Sequence, residues 1–170
     1  RVRQMVEEAR REWGGLDCLL NIAGGADFGD KVWELDLETW RKMLSVNLTT
    51  AFLCCKHVVP VMRRQGRGRV INVSSKVSRD IQPGAAAYAA AKSGVTTLTK
   101  ALREEVKDTD ITVNVVVPGI IDTPVTREWI SGGNPDRWVK PAEIADLMLA
   151  LCEDRCRAMS GSELKVYGEL

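Results

Sequence analysis

Hydrophobic positions along the chain follow two alternating spacings. Short apolar runs that resemble buried strands alternate with longer segments in which apolar residues recur every three or four positions, as in amphipathic helices. The predicted strands are 16–20, 70–73, 111–117 and 163–167, and the predicted helices are 1–13, 39–65, 85–107 and 141–154. Strictly alternating strands and helices predict an α/β fold with a doubly wound parallel sheet.

Two segments between these elements carry no clear periodicity. Residues 26–38 form a polar loop that leads into the long helix. Residues 124–139 contain Trp129, a Gly-Gly pair and Trp138. This second segment fits either a mobile lid with exposed aromatic side chains or a plain surface loop with packing tryptophans, and we favour the lid.

The composition is that of an ordinary globular domain, and we expect residues 1–170 to form one domain. The net charge of +1 gives no electrostatic argument for a nucleic-acid or membrane partner, so we expect neither. Basic residues do cluster at 63–64 and 67–69. Because cations complement the carboxyl end of a helix dipole, we interpret this cluster as a solvated helix end.

Cysteine and histidine usage argues against a metal site. The five cysteines follow no regular spacing and the chain has one histidine, so a structural zinc site is not expected. Free thiols in a reducing compartment are the default interpretation, and we expect a cytoplasmic protein.

The candidate chemistry lies at 71–94, where a strand ending in Ser75 precedes a helix that carries Tyr88 and Lys92. Residues i and i+4 lie on one face of a helix, so the phenol and the amine should project together. A nearby cation favours the phenolate and should lower the pKa of Tyr88 from its usual value of about 10. Such a phenol can exchange a proton with a carbonyl or alcohol oxygen, and a serine hydroxyl can bind the same oxygen.

Tyr-x-x-x-Lys on a helix also occurs by chance as a solvated face, so the neighbouring residues decide between the two interpretations. Ser75 lies thirteen positions before Tyr88 and follows an apolar strand. The segment 71–94 resembles the active-site signature of the short-chain dehydrogenase/reductase family. That resemblance implies a Rossmann-like fold, NAD or NADP as cofactor, and Ser75, Tyr88 and Lys92 as catalytic residues.

Further motifs that resemble the family follow in the expected order. Asn47 falls on the family's helix asparagine, which implies a part in a proton relay to the lysine. The family's Asn-Asn-Ala-Gly motif falls on residues 21–24, with Ile22 in place of the second asparagine. The resemblance implies that the cofactor contacts these residues and those of the Pro-Gly motif, namely Ile22, Ala23, Gly24, Tyr88, Lys92, Pro118, Gly119, Ile121 and Thr123.

The resemblance covers only the later part of the family pattern. The glycine-rich loop that holds the cofactor pyrophosphate is not found in the sequence, and neither is the residue that separates NAD from NADP preference. The chain would therefore supply strands 4–7 of the family order 3-2-1-4-5-6-7, as an N-terminally truncated sheet. Strand 16–20 would become an apolar edge, so the isolated chain would be marginally stable or would recruit a partner strand, and most cofactor affinity would be lost.

Two functional hypotheses follow. The first is an NAD(P)-dependent enzyme that interconverts a carbonyl and a secondary alcohol, nearest to the 3-oxoacyl reductases of the family. The second is an inactive remnant that acts only as an interaction module. In both, the resemblance implies a homo-oligomer, a dimer or tetramer, formed through helices 39–65 and 85–107.

Overall fold

The structure, a computed structural model, describes residues 1–168 and contains a four-stranded parallel sheet. The spatial order is β1-β2-β3-β4, and each strand pairs in parallel with the next. The strands are β1 (Cys18–Asn21), β2 (Arg67–Val73), β3 (Asp110–Pro118) and β4 (Glu163–Val166). The predicted α/β class and parallel sheet are confirmed.

Helices connect the strands close to the predicted positions, but the long central helix is irregular. The helices are α1 (Val2–Trp13), α2 (Leu37–Met43), α3 (Thr50–Gln65), α4 (Ala86–Glu105), α5 (Pro124–Trp129) and α6 (Pro141–Cys152). A π-helical segment, Leu44–Thr49, joins α2 to α3. The helix begins at Leu37, two residues before the predicted start, because the Asp36 side chain accepts a hydrogen bond from the Thr39 amide at 2.8 Å.

Neighbouring residues of β2 pack on opposite sides of the sheet, as side-chain alternation along a strand requires. Val70 joins a buried cluster with residues of α1, α3 and α4, whereas Ile71 joins a second cluster with residues of α6. Helices therefore cover both faces of the sheet. The carboxyl ends of the strands share one edge, and the candidate residues follow those ends.

The basic residues at 63–64 lie in the exposed last turn of α3, as predicted, but the prediction of a solvated helix end is wrong for 67–69. Helix α3 ends at Gln65, where Gly66 adopts a left-handed conformation with φ 79°, and the next residue begins β2. Arg69 is 5% exposed and donates to the Asp110 carbonyl at 2.8 Å and to the Asp154 carboxylate at 3.1 Å. The prediction failed because a cluster of charged residues in the sequence does not show where a helix ends and the next strand begins.

Near the start of β2, the main chain at Gly68 lies so close to Met62 that no larger residue fits at position 68. A Cβ atom at Gly68 would lie 2.4 Å from the Met62 sulfur, and Met62 is fully buried. We expect Gly68→Ala to lower the free energy of unfolding by about 1–3 kcal/mol because the core must shift to accept the methyl group. Urea denaturation measures this. Gly25→Ala is the control, since its Cβ would have no neighbour nearer than 4.0 Å; equal losses in both variants would contradict the packing argument.

The Gly-rich segment after β3 is more ordered than a plain loop. It forms α5 and a short 3-10 turn, Pro135–Arg137, and Trp138 is 4% exposed. A Cβ at Gly133 would lie 2.5 Å from the Trp138 ring, so the loop backbone packs directly on this side chain. Trp129 is 61% exposed. Only one of the two tryptophans is therefore exposed, and Trp138 belongs to the core.

The continuous helical stretch 37–65 is long and apolar enough to cross a bilayer by length and composition alone. In the folded chain it packs against α1, α4 and the strands β1 and β2. Core helices of globular domains pass the same test, so the stretch is weak evidence for a membrane span.

Candidate active site

Ser75 and Tyr88 meet beside the carboxyl end of β2. Ser75 is 9% exposed, and its hydroxyl accepts a hydrogen bond from the Val77 amide at 3.3 Å. Tyr88 is half-buried on α4, and the edge of its ring contacts Phe28 with ring centres 5.4 Å apart. Burial raises the pKa of the Tyr88 phenol, and a hydrogen bond with the Ser75 side chain acts in the opposite direction.

Lys92 lies one helical turn beyond Tyr88, but its amine turns toward the sheet. The Nζ atom donates to the Val73 carbonyl at 3.0 Å and lies 5.8 Å from the centre of the Tyr88 ring. Burial lowers the pKa of Lys92 to about 8. The expectation that Lys92 lowers the pKa of Tyr88 is wrong for this structure, because desolvation of the phenol dominates.

Asn47 lies in the π-helical segment and is 2% exposed. Its Nδ2 atom donates to the carbonyls of Gly25 and Met43 at 2.9 and 3.0 Å, and its Oδ1 accepts from the Gly25 amide at 3.2 Å. The wide π turn shifts the backbone bonding, so the Thr50 amide bonds Ser45. Asn47 therefore fastens the turn after β1 to the central helix.

The turn after β1 brings main chain close to both Asn47 and Lys92. A Cβ at Gly24 would lie 2.6 Å from the Asn47 Oδ1 and 3.3 Å from the Lys92 amine. Ile22, Ala23 and Gly24 are exposed, so this turn presents main chain at the edge of the sheet beside the amine. Only a residue without a side chain fits at position 24.

The Pro-Gly motif lies at the end of β3, at the same edge of the sheet, and packing and hydrogen bonds hold its residues in place. Pro118 is buried, and the Gly119 amide donates to the Val166 carbonyl at 2.8 Å. Ile121 packs into the cluster around α6. The Thr123 hydroxyl accepts from the Thr126 amide at 3.1 Å and so caps α5.

A buried polar network between the strands and α4 lies next to the site, and the sequence analysis did not predict it. Asn21 donates to the Asn72 Oδ1 at 2.8 Å, and Asn72 donates to the Thr99 hydroxyl at 2.8 Å. Ser74 donates to the Lys92 carbonyl at 2.9 Å. These bonds tie β1, β2 and α4 together. Polar residues inside an apolar strand run were the available signal, since buried polar groups need partners.

Comparison with known proteins identifies the group to which this arrangement belongs. The short chain dehydrogenase family model matches residues 1–133. The chain belongs to the short-chain dehydrogenase/reductase family. It is therefore related to oxidoreductases, and the family resemblance drawn from the sequence is confirmed.

Relatives within the short-chain dehydrogenases/reductases include enzymes with different named substrates. The chain is 33% identical to cis-4-hydroxycyclohexanecarboxylate dehydrogenase of Sinomonas cyclohexanicum, covering 98% of this chain and 70% of the relative. It is 34% identical to a 3-oxoacyl-acyl-carrier-protein reductase of Thermotoga maritima, covering 99% and 72%. It is 35% identical to acetoacetyl-CoA reductase of Allochromatium vinosum, covering 98% and 71%.

The fold comparison agrees with the sequence comparison. A crystal structure assigned to the short-chain dehydrogenases/reductases, from Burkholderia xenovorans, superposes with a TM-score of 0.90 at 31% identity. The alignment covers 99% of this chain and 68% of that one. The four parallel strands and their helices therefore follow the family architecture.

Burial of Lys92 in this short-chain dehydrogenase/reductase predicts a pH dependence of stability. Its pKa is about 8 when folded and about 10.4 when unfolded, so between these values the unfolded chain binds the extra proton. The free energy of unfolding should rise with pH across this window, by about 3 kcal/mol in total.

Denaturation of wild type and Lys92→Met between pH 7.5 and 10 isolates this effect. The difference in unfolding free energy between the two chains should grow with pH. Burial also raises the pKa of the Cys55 thiol, to about 11, but that group is present in both chains and cancels in the difference. A difference that stays constant with pH would contradict the lowered pKa.

Proposed function

We propose that the chain carries the catalytic residues of an NAD(P)-dependent enzyme that interconverts a carbonyl and a secondary alcohol. The observation that supports this proposal most is the meeting of a serine hydroxyl, a phenol and a buried amine at one sheet edge. The Ser75 side chain lies close enough to the Tyr88 phenol to lower its pKa, and the Lys92 amine lies 5.8 Å from the centre of the Tyr88 ring. These groups suit proton exchange with a substrate oxygen.

In the proposed reduction, the Ser75 hydroxyl donates a hydrogen bond to the substrate carbonyl oxygen and orients it. The raised pKa of Tyr88 keeps its phenol protonated at neutral pH, so the phenol can give its proton to the same oxygen. Lys92 lies beside this phenol and, by family resemblance, contacts the cofactor. Asn47 keeps the turn at Gly25 in place and, by family resemblance, serves the proton relay.

In the proposal, the nicotinamide end of NAD or NADP lies against the turn after β1. Gly24 carries no side chain, so its main chain lies directly beside Asn47 and Lys92, and Ile22, Ala23 and Gly24 are exposed. In the proposal the cofactor also contacts Tyr88, Pro118, Gly119, Ile121 and Thr123. When bound, the cofactor supplies or accepts the hydride, and the residues of this chain orient the substrate and move the proton.

The names of the relatives favour a 3-oxoacyl thioester as substrate. Two of them are named for the reduction of 3-oxoacyl-acyl-carrier-protein and acetoacetyl-CoA.

We further propose a cytoplasmic homo-oligomer, a dimer or tetramer, that associates through the helical stretch 37–65 and α4, with no nucleic-acid or membrane partner. Phe52 on α3 is 45% exposed and is available for such a contact.

Reduction of acetoacetyl-CoA tests the proposal. We expect the 170-residue chain to oxidise NADPH or NADH faster than the Tyr88→Phe variant when cofactor and substrate are in excess. Equal rates in the two chains would contradict the proposed enzymatic activity and support the alternative, an interaction module without chemistry.

Cofactor binding is expected to be weak because no pyrophosphate-binding glycine loop occurs in the sequence. Calorimetry should therefore give dissociation constants for NAD and NADP well above micromolar. Binding at about 1 μM or tighter, equivalent to about −8.2 kcal/mol, would contradict this expectation.

A further inference from the structure

One carboxylate after β3 holds two cations at once. Asp122 accepts from Arg127 through both oxygens, with Nε to Oδ1 at 2.6 Å and Nη2 to Oδ2 at 2.9 Å. Lys140 donates to the same Oδ2 at 2.9 Å. The Asp122 side chain is 9% exposed, whereas its two partners are 57% and 41% exposed. Paired, two-point contacts of this kind fix geometry more firmly than single surface ion pairs do.

These contacts join separate parts of one segment. Arg127 belongs to α5, Lys140 precedes α6, and the Lys140 amine also donates to the Pro135 carbonyl at 2.8 Å. The main chain closes the base of the segment, because the Asp122 amide donates to the Val139 carbonyl at 2.9 Å and the Val139 amide donates to the Ile120 carbonyl at 2.9 Å. Residues 123–138 therefore form a flap. Main-chain hydrogen bonds close its base, and the Asp122 carboxylate links Arg127 to Lys140.

The flap begins at the sheet edge that carries the candidate site. Its base follows the carboxyl end of β3, which pairs with β2, and Ser75 follows β2. The exposed side chains of the flap include apolar ones, Val125 at 55% and Trp129 at 61%. A change in how the flap is held would thus act at the sheet edge that carries Ser75, outside the groups that move the proton.

We propose that Asp122 is a positioning residue that holds flap 123–138 in a fixed place over the carbonyl substrate, through Arg127 and Lys140 together. The proposal rests on the proposed reduction and adds to it the residue that sets substrate affinity. The two cations also hold the pKa of the Asp122 carboxyl well below its usual range. The carboxylate therefore stays charged throughout the neutral range, and the flap stays tied.

The test compares Asp122→Asn with Glu128→Gln in the full chain. Asp122→Asn keeps the shape of the side chain but removes the charge and one acceptor. Glu128→Gln removes the same charge from α5 and lies outside the Asp122 ion pairs. The first measurement is hydrogen exchange at the amides of 123–138. The second is the KM and kcat for acetoacetyl-CoA with NADPH in excess.

We expect Asp122→Asn to speed exchange in the flap about tenfold while Glu128→Gln leaves it unchanged. KM should rise about tenfold with kcat altered less than about threefold, and Asp122→Glu should restore part of the affinity. If Asp122→Asn does not fold, Arg127→Gln removes the two-point partner and serves in its place.

Each other result overturns the proposal. Unchanged exchange would show that Asp122 does not hold the flap. Faster exchange with unchanged KM would reduce its role to structure alone, and an equal fall in kcat and kcat/KM would place it in the chemical step. A wild-type chain without turnover would instead defeat the proposed function, and the exchange experiment would still decide whether Asp122 holds the flap.

Discussion

Tyr88→Phe is expected to reduce the turnover of acetoacetyl-CoA by about 10³-fold, because it removes the one phenolic hydroxyl beside Ser75. The variant keeps the ring, so the edge contact with Phe28 is preserved and the fold should not change. The measurement is the initial rate of NADPH oxidation at saturating substrate, with circular dichroism to confirm an intact fold.

Tyr167→Phe is the matched control, since the chain has two tyrosines and this one lies beyond β4. It removes the same atom, and its ring contacts the Lys76 amine rather than the site residues. We expect turnover close to that of wild type. A Tyr88→Phe chain that reduces acetoacetyl-CoA within about threefold of the wild-type rate would remove Tyr88 from the chemical step.

Asn47→Ala should cause the next largest change, affecting both stability and turnover. It leaves the amide and carbonyl of Gly25 and the carbonyl of Met43 without their side-chain partner. Loss of buried partners costs about 1–3 kcal/mol of unfolding free energy. Because the turn at Gly24 and Gly25 is then no longer fixed against Lys92, turnover should also fall by about 10²-fold.

Thr50→Val provides the comparison within the same helical stretch. The Thr50 hydroxyl donates to the Val46 carbonyl at 2.8 Å, so the variant loses one hydrogen bond but leaves the turn after β1 untouched. It should lose about 1 kcal/mol of unfolding free energy and keep its turnover. Parallel losses of turnover in both variants would show that Asn47 acts only through helix stability. Urea denaturation and initial rates separate the two effects.

The spacing of apolar residues was enough to predict the fold because each strand and helix buries a continuous face. It also placed Ser75, Tyr88 and Lys92 together, since a strand end and one helix turn are local features. The direction of the Tyr88 pKa shift was not predictable in this way. It depends on the burial of Tyr88 in the folded chain, where the Lys92 amine donates to the Val73 carbonyl, a residue nineteen positions away.

Other features were missed for the same reason. Nothing near Asp122 in the sequence indicates that a cation eighteen residues later, Lys140, completes its ion pairs. The burial of Arg69 depends on Asp110 and Asp154, which belong to other elements. Trp138 looked like a loop aromatic because its neighbours are polar, yet the chain folds back so that Gly133 covers it.

The π-helical segment Leu44–Thr49 has a consequence for comparing this chain with its relatives. A π turn contains one residue more than the α-helical turn it replaces, so it behaves as a one-residue insertion that leaves the flanking helices in phase. A relative with a straight α-helix here should align with a single-position gap near Asn47 and no shift in the core positions of α3. Deletion of one residue at this point would thus change the position of the Asn47 side chain and leave the hydrophobic pattern of the helix intact.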